Sequence, residues 1–107
     1  MKLRINPVAV QDMQDIKRYI TNELQNPAAA ISVLQKLIAA YKRLADFPLM
    51  GKPLSAVIAM PTGYRYLVKG SYMIFYKVED DYVSIYRVLY GRRDYAKILF
   101  GKLSDDE

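Results

Sequence analysis

YRYLVKGSYMIFYKVEDDYVSIYRVLY, residues 64–90, holds three tyrosine-rich apolar runs separated by two short turn signals. Tyrosine and β-branched residues dominate YRYLVK, YMIFYKV and YVSIYRVLY, as pleated strands prefer. Gly70-Ser71 and the acidic EDD join them tightly enough to read as hairpins. The stretch therefore predicts a three-stranded antiparallel meander. Period-two alternation puts Tyr72, Ile74 and Tyr76 on one face and Met73, Phe75 and Lys77 on the other. In the last run, Val83, Ile85, Arg87 and Leu89 oppose Tyr82, Ser84, Tyr86, Val88 and Tyr90. The first of these sets looks like core, except that Arg87 interrupts it. A bulge or a sheet edge would release that charge.

Upstream, the period changes. Asn6 and Pro7 start one helical pattern, with Ala9, Met13, Ile16, Ile20 and Leu24 as its stripe. Asp12 and Asp15 fall early in it, and Lys17 and Arg18 late, as the helix dipole favours. Asn26 and Pro27 start a second. Its stripe is Ala30, Leu34, Leu37, Tyr41 and Leu44, widened by Ile31, Ile38 and Ala45. The very short linker implies an antiparallel helical hairpin. KLRI at 2–5 reads as a first strand, and Pro48, Gly51, Pro53 and Pro61 mark 46–63 as irregular. After Gly91, RRDYAKILFGKL reads as either a helical turn or an extended tail. The expected fold is α+β, a single domain over 1–107. An N-terminal strand, a helical hairpin and the meander form a mostly antiparallel sheet with helices on one face. If so, the second face is open to water or to a partner.

Composition narrows the chemistry. The chain has 107 residues and a net charge of +5, from 16 basic and 11 acidic side chains. That balance favours a polyanion or an acidic protein as partner. The terminal SDDE is acidic, so the body is more positive than the total. There is no cysteine and no histidine. Disulfides and thiolate metal sites are excluded, and the usual neutral-pH general base is missing. No metal or cofactor is expected. No apolar run approaches a membrane span or a signal peptide, so a cytoplasmic location without membrane partners is expected.

The element order, the loop piece FPLMGKPL and the closing RVLYGRRDY together resemble the RelE/ParE superfamily of bacterial toxins over essentially the whole chain. The resemblance implies the toxin of a type II toxin–antitoxin module, with a cognate antitoxin as partner. It also implies one of two activities. RelE-like members enter the ribosome and cut mRNA, and this is the activity the site residues are first read for. The alternative is ParE-like inhibition of DNA gyrase without nuclease chemistry. Carried over by position, Arg65, Lys69, Tyr90, Arg93 and Tyr95 are the candidate catalytic residues. Arg65, Lys69, Arg87, Arg92 and Arg93 are the candidate RNA contacts. The arginine that usually follows the aromatic residue at the next strand is Met73 here.

The chemistry fits in outline. Attack by a ribose 2′-hydroxyl needs a proton acceptor, a donor and fixed positive charge at the developing phosphorane. Arg65 and Arg93 suit the charge, because a guanidinium matches two phosphate oxygens. Tyr90 or Tyr95 serves as acid or base only if neighbouring arginines lower its pKa, and a desolvated Lys69 is an alternative base. Set against this is a plainer reading, with Arg92 and Arg93 on a solvated strand end and Asp94 pairing one of them. A basic sheet with tyrosines on its open face also suits single-stranded RNA.

Overall fold

A computed structural model describes residues 1–57 and 62–100. Pro61 and the SDDE terminus, both singled out above, lie outside the described residues. Strand β1 (Lys2–Ile5) leads into α1 (Pro7–Arg18) and then α2 (Pro27–Lys42). Strand β2 (Lys52–Pro53) precedes the meander β3 (Arg65–Lys69), β4 (Tyr72–Val78) and β5 (Tyr82–Tyr90), and α3 (Tyr95–Phe100) follows. The sheet order is β1-β5-β4-β3-β2, with β1 parallel to β5 and the other pairs antiparallel.

Both helix starts are built as their Asn-Pro signals imply. Asn6 Oδ1 accepts from Val8 N at 2.9 Å, and Asn26 Oδ1 accepts from Ala29 N at 3.1 Å. A five-residue π-helical segment, Tyr19–Glu23, extends α1, and Gln25 at φ 50° turns the chain into α2. The wider π turn takes Leu24 off the stripe and leaves it 57% exposed, so the expected apolar stripe ends at Ile20. Ile31, expected to widen the buried stripe of α2, is 53% exposed. The face of α2 that packs is narrower than its apolar content suggests.

The two sheet faces carry separate cores. On the hairpin side, Ala9, Met13, Leu37, Tyr41 and Leu44 pack on Ile74, Tyr76, Val83, Ile85 and Val88. On the second side, Leu54, Met73, Phe75 and Leu89 are covered by Tyr95, Ile98, Leu99 and Phe100 of α3. The segment after Gly91 thus resolves as a helix, and the face expected to be open is partly roofed.

A bulge allows one strand to serve both cores. Phe75 pairs with Arg87 whereas Tyr76 pairs with Ile85, so Tyr86 is an extra residue on β5. The expected alternation of Val83, Ile85, Arg87 and Leu89 breaks there. Val88 joins Val83 and Ile85, while Leu89 moves to the second core. Strand β1 stops pairing at Ile85, and from Tyr86 onward the outer edge of β5 has no strand neighbour among the described residues. Asp12 of α1 takes over that edge. Its carboxylate accepts from Val88 N at 3.0 Å and from Arg87 Nε and Nη2 at 2.8 Å each. Asp12 lies in the second turn, is 8% exposed, and serves this contact; the first turn of α1 carries no acid.

Candidate functional site

The cationic and tyrosine side chains singled out from the sequence do not share one pocket. Arg65 opens β3 and turns its guanidinium inward, where Nη2 donates to Gly51 O at 2.6 Å and to Leu49 O at 3.2 Å. Its Nε is buried with no partner among the described residues. Arg87 is held by Asp12, and that hydrogen bond raises its pKa above the ordinary arginine range. Tyr95 lies on the second face, its ring tilted against Phe75 at 5.3 Å between centroids.

The others gather at the far end of the meander. Lys69, Tyr72 and Tyr90 are successive cross-strand neighbours, with Tyr72 and Tyr90 edge to face at 6.0 Å. Beyond Tyr90 the chain turns tightly. Gly91 N donates to Ser71 O at 2.8 Å, and Arg93 N donates to Tyr90 O at 3.0 Å. A Cβ at Gly91 would meet Ser71 O at 3.3 Å, which explains the glycine. Arg92 and Arg93 are exposed. Asp94 pairs with neither within the described residues; its Oδ1 caps α3 by accepting from Lys97 N at 3.2 Å.

Arg93, Tyr90 and Tyr72 line a groove of about 690 Å³ that runs between the helical hairpin and the β4–β5 end. Tyr19, Ile20 and Leu24 form its apolar wall, and Asp12 and Asp15 lie along it. The groove therefore offers apolar surface with charges of both signs. Burial pushes the Tyr72 hydroxyl above its ordinary 10.0, and Tyr90 and Tyr19 nearby push the same way.

On the second face, aromatic rings pack on one another and on α3. Tyr64 packs edge-on against Tyr86 at 5.2 Å and Phe100 at 5.5 Å, and Lys77 Nζ lies 4.5 Å over its ring. Burial, and after it Tyr86, raises the Tyr64 pKa.

Two residues carry more of this architecture than their sequence context suggested. Asp12 read as a dipole partner, and only the charge interrupting the core at Arg87 hinted at a mate. Tyr76 read as a strand tyrosine. Its hydroxyl is buried, accepts from Gly51 N at 2.9 Å and donates to Pro48 O at 2.9 Å.

The comparisons with known proteins agree with this architecture. Residues 3–95 match the family model described as the ParE toxin of the type II toxin–antitoxin system parDE. No curated protein matches the chain. Among solved structures, a chain of the chromosomal ParDE toxin–antitoxin system from P. aeruginosa is similar in fold, with a TM-score of 0.70 at 20% identity. The match covers 84% of this chain and 95% of that one. Among the described residues, no helix is long and apolar enough to cross a membrane.

Proposed function

Because the chain belongs to the ParE toxin family of type II toxin–antitoxin systems, we propose that it arrests growth by binding DNA gyrase, and that a cognate antitoxin neutralises it. The observation that carries this reading is the internal use of the cations. Arg65 is committed to two loop carbonyls and Arg87 to a carboxylate, while Tyr95 packs on the opposite face. Ribonuclease chemistry needs acceptor, donor and charge within reach of one phosphate. Inhibition by binding needs only a complementary surface.

The hairpin groove suits the antitoxin. Its apolar wall and its mixed charges suit an amphipathic helix carrying charges of both signs. Lys69, Tyr90, Arg92 and Arg93 then act as contacts at the groove's mouth, without proton transfer.

Inducing the chain without its antitoxin tests this. Arrest is expected together with gyrase-linked DNA breaks and intact message. Codon-phased cuts in mRNA, mapped by primer extension, would instead restore the ribosomal mRNA-cleavage reading, with Arg93 and Lys69 as its groups. Normal growth with folded protein present would reject the toxin assignment.

A further inference from the structure

Just after α2, Phe47, Leu49 and Met50 project into water, at 57, 67 and 37% exposure. Together with Pro48 and Arg43 they line a shallow hollow of about 520 Å³. Three neighbouring large apolar side chains on one loop are costly to leave wet, and such patches mark protein contacts. The backbone beneath them is unusually fixed. Tyr76 and Arg65 reach up from the sheet and hold Pro48, Leu49 and Gly51 by four hydrogen bonds. Gly51 fits there only because it lacks a side chain: a Cβ would lie 2.5 Å from both Tyr66 O and Tyr76 Oη. A loop serving merely as a connection has no need of a buried tyrosine hydroxyl and a half-buried guanidinium to fix its shape. A docking tip does, because a preformed contact loses little entropy on binding.

We infer that this tip, Phe47–Met50, is the surface through which the protein grips its target. The partner is a protein that presents an apolar cleft with carboxylates on its rim. Charge supports that choice: Lys42, Arg43 and Lys52 flank the tip, against the single acid Asp46. Apolar tips of this kind insert into protein clefts, whereas nucleic acid is met by cations and stacked rings. The tip also lies apart from the antitoxin groove. The groove touches Ala29 and Val33 near the start of α2, and the tip follows its end. From Val33 at the groove to Arg43 at the tip the helix rises about 15 Å. The inference rests on the binding-toxin reading, and it adds that target and antitoxin use different surfaces.

The test uses the full chain, purified gyrase holoenzyme and the antitoxin encoded beside it. A Phe47→Ser, Leu49→Ser variant alters only exposed side chains, and its fold is checked by circular dichroism. It is expected to lose gyrase affinity by about tenfold or more and to permit growth. Its antitoxin affinity should stay within about twofold of the parent. Equal gyrase binding by variant and parent would overturn the inference, as would a matching loss of antitoxin binding. A parent that dimerises through this patch, with the variant monomeric, would overturn it as well. If the parent does not bind gyrase, the functional reading fails separately. Growth then decides for the tip: relief of arrest in the variant supports it, and undiminished arrest rejects it.

Discussion

Asp12 and Arg87 stand 75 positions apart in the chain and meet through two parallel hydrogen bonds of 2.8 Å, with the Asp12 carboxylate also taking Val88 N. One side chain thus neutralises a half-buried cation and satisfies an exposed sheet edge. Removing one partner of a buried pair costs far more than the pair's net worth, because the other charge is stranded.

Asp12→Ala should therefore destabilise the fold by roughly 3 kcal/mol, with the Arg87 guanidinium and Val88 N both left without their acceptor. Urea unfolding of both proteins measures this. The double variant Asp12→Leu, Arg87→Met should recover much of the loss. If the double variant is no more stable than Asp12→Ala, stranded charge is not the cause.

Tyr76→Phe removes the hydroxyl that holds Gly51 and Pro48 while keeping the ring in the core. A loss of about 1–2 kcal/mol in stability is expected, from a buried donor and acceptor left unpaired. Gly51→Ala forces a Cβ against backbone and ring, and should cost roughly 1–3 kcal/mol as local overpacking. Both should weaken target binding more than antitoxin binding, since both act beneath the apolar tip. Titrations against each partner provide the comparison.

Arg93→Ala should leave thermal stability unchanged within about 0.5 kcal/mol, because the side chain is exposed. Antitoxin affinity should fall about fivefold, the scale of one rim ion pair. Growth arrest should persist. Full relief of arrest with antitoxin affinity unchanged would point back to a ribonuclease role for this residue.

Alkaline pH should unfold the protein in a defined window. Burial raises Tyr41, and burial with neighbouring tyrosines raises Tyr64 and Tyr72, all above the ordinary 10.0. The folded state therefore holds protons that the unfolded chain releases. Stability from these groups is full below pH 10 and declines as pH rises through the folded-state values. Urea midpoints measured from pH 8 upward, with tyrosinate absorbance followed in parallel, should fall together above pH 10. A midpoint independent of pH there would contradict the assignment.

The elements were readable from the sequence to a large extent. The runs at 72–78 and 82–90 form β4 and β5, and YRYLVK forms β3 from Arg65, because hairpin turn chemistry fixes strand ends locally. Asn-Pro punctuation set both helix starts for the same reason. What escaped was non-local. Arg87 breaking the apolar set pointed to a bulge or a sheet edge, and nothing local chose between them; the extra residue at Tyr86 follows from how Val88 and Leu89 divide between two cores. Arg65 reads as a cation free for phosphate because the carbonyls that bind it sit on a loop 14 and 16 residues earlier. Tyr95 joins the arginines only by its position in the family pattern. A helix then carried its ring to the other side of the sheet.

Strand β1 pairs in parallel with β5, so Lys2–Ile5 find their strand partner at residues 82–85. Asp12 likewise waits for Arg87. A nascent chain leaving the ribosome cannot close its sheet until nearly all of it has been made. Translation itself thus delays the appearance of a finished, harmful molecule, and gives a bystander protein time to capture the emerging hairpin first. Chains stalled short of Tyr82 should be readily digested by protease, and those extended past Tyr90 should resist it.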